Sequence, residues 1–255
     1  MSGGALAGLR VAVTRTSEQA SALVEQLERE GAQVAAFPLI RIEPVMPAGE
    51  LAALLRQEWD WVVFTSANAV RLCAAAFGSQ HATLGAVLPP ARVAVVGPAT
   101  AEAARAEGLD VTAMPETFIG DEVAAAMGGA PMLQGRRVLW PRAAGARDVV
   151  EATLRAAGAT VTSPVVYRSV PDEQNARNLA RRLLQHDIDV VTFTSPSCVR
   201  SLSAVLPELH GAKVAAIGPV TAEAARNAGY TVDVVAAEYT ADGIVKALIA
   251  AFGAE

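Results

Sequence analysis

Two short stretches of this chain could do chemistry, and each occurs twice. One is Gly97-Pro98-Ala99-Thr100, which returns as Gly218-Pro219-Val220-Thr221. The other is Phe64-Thr65-Ser66, which returns as Phe193-Thr194-Ser195. Each follows a short run of apolar residues without polar alternation, the mark of a strand buried on both faces, and each precedes a helical pattern. Pro98 and Pro219 fit the first helical position, where the absent N–H is no loss, and Gly108 and Gly229 fit the stop. Ser195 before Pro196 reads as an N-cap, and the repeat gives the same role to Ser66. The chemistry such turns offer is anion binding: unpaired backbone N–H groups at a helix start, with a hydroxyl beside them. The plain alternative is that they only start helices.

The elements that must position these turns follow from the repeat itself. At an offset of 121, residues 93–111 and 214–232 agree at 12 of 19 places, so the chain is read as an internal duplication. Leu9 to Arg15, a helix from Glu18 to Glu30 and the strand Val34 to Leu39 answer to Arg137 to Arg142, a helix Ala146 to Ala157 and the strand Val161 to Tyr167. Four helix N-termini thus stand at the carboxyl ends of buried strands, where open α/β sheets hold ligands. Thr16, Asp121 and Asp242 read as helix-start residues. Phe37 to Pro44 and Ser163 to Pro171 are bracketed by proline and read as extended connectors.

With 255 residues, 52% hydrophobic and 18% charged, the chain suits an α/β protein of two ordinary domains. A net charge of -5 without basic clusters argues against nucleic acid. No run of 18 apolar residues and no signal-like start suggest a cytoplasmic protein away from the membrane. Cys73 and Cys198 read as small buried residues, and His81, His186 and His210 show no metal-ligand spacing, so no metal is expected. Nucleotide-cradle and nucleophile-elbow motifs are missing.

The order Phe-Thr-Ser-x-x-x-Val then Gly-Pro-x-Thr-Ala in each half, with Pro164-Val-Val-Tyr-Arg168 between, resembles the uroporphyrinogen-III synthase family from about Arg10 to Phe252. The resemblance implies two similar α/β domains, each a parallel sheet flanked by helices, joined by two extended connectors, with the active site in the interdomain cleft. It implies discontinuous domains, 1–40 with 168–255 and 41–167, whereas periodicity alone suggests contiguous halves. It implies a cofactor-free lyase that cyclises hydroxymethylbilane, inverts its last ring and loses water. A monomer making at most transient contact with the upstream deaminase is expected. The family's ligand groups fall on Thr65, Ser66, Asn68, Gly97 and Thr100, and on Thr194, Ser195, Ser197, Gly218 and Thr221. Arg15 and Arg142, ending equivalent strands, are further candidates beside a reading as exposed surface charge. Tyr167 matches the tyrosine the family is thought to use in leaving-group departure. The alternative is a non-catalytic two-domain module that binds a tetrapyrrole or other polyanion.

Overall fold

A computed structural model describes residues 4–15, 17–78, 83–117 and 122–253, with side chains left aside for 17–21. Thr16, His81 and Asp121 lie outside the described residues. The chain folds as two compact units, Met1–Arg41 with Val170–Glu255, and Ile42–Ser169.

Each unit is built on a five-stranded sheet whose paired strands are all parallel. In the first the spatial order is Val234–Val235, Lys213–Ala216, Val190–Phe193, Arg10–Val13, Gln33–Ala36. In the second it is Val111–Ala113, Arg92–Val95, Trp61–Phe64, Arg137–Leu139, Thr160–Thr162. The apolar strands are continuous because both faces are covered, and successive residues alternate between two cores. Val62 and Phe64 join one cluster with Val93, Val95 and Leu139, while Trp61 and Val63 join another with Ala94, Val138 and Trp140. Ala12, Val191 and Phe193 part in the same way from Val11, Val13 and Val190. A period of two that serves two apolar faces leaves little place for a polar residue, which explains the apolar runs in the sequence; Thr192, the exception in Val190–Phe193, has its hydroxyl bonded to the Ala12 carbonyl at 3.1 Å.

The two sheets match strand for strand, yet neither is one repeat. Arg10–Val13 and Gln33–Ala36, from the first repeat, complete a sheet whose other three strands come from the second; Arg137–Leu139 and Thr160–Thr162 do the reverse. The duplicated halves have exchanged their leading strand pairs. This places the point where strand order reverses between Arg10–Val13 and Val190–Phe193 in one unit, and between Trp61–Phe64 and Arg137–Leu139 in the other. At such points the loops diverge and open a crevice beyond the carboxyl ends of the strands.

Several local expectations are corrected. The strand read from Val161 to Tyr167 is two, Thr160–Thr162 and Val165–Pro171, broken at Ser163-Pro164, where proline removes a ladder donor. The proline-bracketed stretches are extended and paired: Ile40–Pro44, Val165–Pro171 and Arg142–Ala143 form a three-stranded sheet. The helix read from Ala146 begins at Val149. Asp242 does fall in the first turn of the helix Ala241–Phe252, where it pairs with Lys246 one turn on at 2.7 Å, and the cap is Thr240, whose hydroxyl accepts from the Gly243 N–H at 3.0 Å.

Candidate active site

In the second unit the carboxyl end of Trp61–Phe64 presents Thr65 and Ser66, both half-buried. Ser66 caps the helix Ala67–Ala75 in extended geometry (φ -156°, ψ 134°), its Oγ accepting from the Asn68 N–H at 3.1 Å. Tyr167 comes from the extended strand Val165–Pro171 and donates its phenol O–H to the same Oγ at 2.8 Å. With two donors on its oxygen, the Ser66 hydroxyl has its own hydrogen left to give. Tyr167 is 5% exposed, and burial pushes its phenol above the ordinary value, opposed by the hydrogen bond to Ser66. The group is therefore a neutral donor at physiological pH. Asn68 Oδ1 accepts from Arg71 Nη1 at 3.5 Å, so its amide orientation is held from behind.

Trp140, which sequence reading passed over, closes the strand-order reversal. Wholly buried just past Arg137–Leu139, it donates Nε1–H to Thr65 Oγ1 at 3.2 Å. Arg142 is corrected in two respects. It does not end the strand Arg137–Leu139 but starts the short strand Arg142–Ala143, and it is not an exposed charge. Its guanidinium lies 5.6 Å from the Trp140 ring centroid and reaches the Ser163 and Ala146 carbonyls at 3.4 and 3.5 Å and Asp148 at 3.7 Å. The pairing with Asp148, whose side chain is 85% exposed, is weak, so the cation can still turn to an anion.

The first unit repeats the layout with different chemistry. Ser195 caps Pro196–Ser203, accepting from the Cys198 N–H at 3.3 Å, and its Oγ lies 2.8 Å from Ser197 Oγ. Cys198 donates to the Thr14 carbonyl at 3.4 Å and receives a bond from Ser195, and burial pushes its thiol up, which disfavours the thiolate. Thr14, fully buried and also missed, donates to the Thr192 carbonyl at 2.7 Å and ties the two strands of the reversal together. Thr194 is half-buried beside the cap. Arg15 is partly withdrawn from solvent, and burial lowers its pKa, so the reading of it as plain surface charge is also corrected. Among the described residues no phenol stands on Ser195 as Tyr167 does on Ser66; its oxygen engages Ser197 and Cys198 instead.

The Gly-Pro-x-Thr turns start the helices Pro98–Ala106 and Pro219–Asn227. Gly97 has φ 87°, a conformation that favours glycine, whereas Gly218 is extended. Thr100 and Thr221 are only 5% and 4% exposed. Little of either side chain reaches solvent, so backbone N–H groups make up the larger part of what these turns offer, with each hydroxyl adding at most one contact. Thr100→Ala and Thr221→Ala are accordingly expected to lower activity less than about tenfold, each removing a hydrogen bond worth about 1 kcal/mol. Steady-state kinetics check this, and a loss of several orders of magnitude in a folded variant would make the threonine catalytic. A surface cavity of about 680 Å³, lined among others by His210, Lys213, Gly229 and Asp233, opens at the opposite, amino end of the first sheet. Concavity alone therefore does not single out the turns; their donors do.

Burial also sets an alkaline limit. The thiol of Cys73 is pushed up to about 12, and the thiol of Cys198 and the phenols of Tyr167 and Tyr230 are raised as well. Groups whose folded values are raised contribute stability that is full below their unfolded values, about 8.5 for Cys and 10 for Tyr, and lost as pH rises through the folded ones. Melting temperature should be insensitive to these groups up to about pH 8 and fall steadily above about pH 9; a flat profile to about pH 11 would refute the assignment.

The family model for uroporphyrinogen-III synthase HemD matches residues 21–246. The chain belongs to the uroporphyrinogen-III synthase family. A relative from Methanothermobacter thermautotrophicus, a putative uroporphyrinogen-III synthase by name, is 32% identical over 254 residues, spanning 95% of this chain and 98% of its own. The uroporphyrinogen-III synthase of Synechococcus elongatus is 29% identical, with 95% of each chain covered. The crystal structure of the Helicobacter pylori uroporphyrinogen-III synthetase superposes with a TM-score of 0.62 at 14% identity, over 95% of this chain and 99% of that one, which supports the fold. Members of this family are enzymes of porphyrin biosynthesis, and the α/β architecture with parallel sheets is theirs.

Proposed function

We propose that this protein closes hydroxymethylbilane to uroporphyrinogen III, with inversion of the last ring and loss of water, and that the Ser66–Tyr167 pair delivers the proton that carries the hydroxyl away. The observation that carries the reading is the 2.8 Å bond from Tyr167 to a serine whose oxygen already accepts from the helix start. In the proposed step the C–O bond of the hydroxymethyl group breaks, Ser66 gives its proton to the departing oxygen, and Tyr167 replaces it. The cation is stabilised by the pyrrole. Ring closure later releases one proton, which restores the phenol, so the sum is loss of water alone. No cofactor enters this balance.

A bilane carries eight carboxylates, and this chain has a net charge of -5. Binding by backbone N–H groups at Ser66, Gly97, Ser195 and Gly218 answers both facts, since helix starts attract anions without needing many Lys or Arg side chains. Thr65, Asn68, Thr194 and Ser197 add small polar groups, and Arg142 and Arg15 add charge. Of the two Ser caps, the one with a phenol behind it is Ser66, so we assign bond breaking to the second unit and binding to both. The reading includes domains of 1–40 with 168–255 and of 41–167, and a cytoplasmic monomer. Among the described residues no helix is long and apolar enough to cross a membrane. Because free bilane closes spontaneously to isomer I, a transient contact with the deaminase that makes it would shorten its exposure.

The test is to supply enzymatically generated hydroxymethylbilane and identify the product isomer. Isomer III is expected. Isomer I at the spontaneous rate would leave a polyanion-binding module and no enzyme.

A further inference from the structure

Gly218 is a glycine for a reason its backbone does not give. Its extended dihedrals (φ 179°, ψ 176°) suit any residue, yet a Cβ there would stand 2.9 to 3.3 Å from three ring atoms of Tyr239. The glycine makes room for an aromatic ring laid against the turn. That ring is 66% exposed, so while one side rests on the Gly218 backbone most of its surface is open to solvent. Val220, two residues past Gly218 in the first turn of the helix, is 69% exposed. Isolated exposed apolar groups need no explanation, but an aromatic fitted onto a glycine at a turn assigned to ligand binding does.

The sequence repeats the device. Tyr239 follows Gly218 by 21 residues, and Phe118 follows Gly97 by the same 21, at the duplication's offset of 121. Phe118 lies outside the described residues, so the repeat enters only as a sequence observation. The charges beside Tyr239 exclude a role in gathering carboxylates: Glu238 and Asp242 are both acidic, and the cation on them, Lys246, is held at 3.6 and 2.7 Å. What the residue offers is a π face, and the portion of a bilane that suits one is a pyrrole, whose ring can lie offset on it or turn its N–H edge toward it.

We propose that Tyr239 is a substrate-contacting residue, its ring a platform on which one pyrrole of the bilane stacks while neighbouring carboxylates reach the Gly218 turn. This rests on the reading of the turn as part of a bilane site. The ring provides binding shared by ground and transition states, so it should act on KM and leave kcat unchanged.

Tyr239→Ser and Tyr239→Phe, assayed with hydroxymethylbilane over a range of concentrations, test the idea. Tyr239→Ser should raise KM about tenfold, with kcat within about threefold of the parent, while Tyr239→Phe should keep KM within about twofold. An unchanged KM in a folded Tyr239→Ser variant would overturn the proposal, as would an equal loss in Tyr239→Phe, which would move the role to the hydroxyl. Fluorescence titration with uroporphyrin III separates this from the reaction itself. If the parent makes no isomer III yet binds the porphyrin, and Tyr239→Ser binds it about tenfold more weakly, the platform stands and only the enzyme reading fails. Equal binding by both proteins would sink the platform whatever the parent's activity.

Discussion

Tyr167→Phe is expected to lower the single-turnover rate of isomer III formation about 100-fold while leaving the protein folded. The substitution keeps the ring, which packs 5% exposed in the core of the second unit beside Val166, and removes only the donor to Ser66. Ser66 Oγ keeps its bond from the Asn68 N–H, so no buried acceptor is stranded and stability should change by about 1 kcal/mol or less. General acid assistance is worth about 100-fold to 10,000-fold, and the low end is expected here because pyrrole electrons already push the hydroxyl out. Since burial raises the phenol's pKa, the donor stays protonated, and the parent rate should show no loss from this group between about pH 6 and 9. A Phe variant with the parent's rate would leave the protein to work by holding the bilane in a coiled shape, with water as the acid.

The second large effect is structural. Trp140→Ala should destabilise the protein by about 3 to 5 kcal/mol, the range for deleting a fully buried aromatic. Trp140 is 1% exposed, packs in the cluster with Trp61, Val63 and Val138, and hydrogen-bonds Thr65 across the point where strand order reverses. Losing it opens a cavity at the wall of the site. Trp140→Phe retains most of the volume and forfeits the Thr65 bond, so it should cost about 1 kcal/mol with activity partly kept. Urea unfolding measures both. A loss below about 1.5 kcal/mol for Trp140→Ala would mean that the site relaxes around the gap.

What the sequence could reveal is set by how far apart the interacting residues lie. Buried parallel strands were legible in Val62-Val63-Phe64 and Val190-Val191-Thr192-Phe193 because one strand's pattern reports its own two faces. So were the caps at Ser66 and Ser195, where donor and acceptor are two or three residues apart. Pairing partners are not written in such patterns. Val11 could sit beside any strand equally apolar; it pairs with Val34 of its own repeat on one side, and its pairing on the other with Val190 of the second repeat follows from tertiary packing. The bond from Tyr167 to Ser66 spans 101 residues and the one from Trp140 to Thr65 spans 75. Neither leaves a local signal, although the resemblance drew attention to the tyrosine. Nor does the sequence show how much of Thr100 and Thr221 is covered: only the packing of each helix on its sheet leaves these residues 5% and 4% exposed.

The central claim is that Ser66 and Tyr167 act as one proton-delivering unit, and a double-mutant cycle addresses it. Single-turnover rates of bilane conversion to isomer III would be measured for the parent, Ser66→Ala, Tyr167→Phe and the double variant. If the proton passes from Tyr167 through Ser66, breaking either link loses the whole effect, and the double variant should be within about threefold of Tyr167→Phe alone. If the two single losses multiply, so that the double variant is slower by about the product of both, the residues act independently and the relay does not exist.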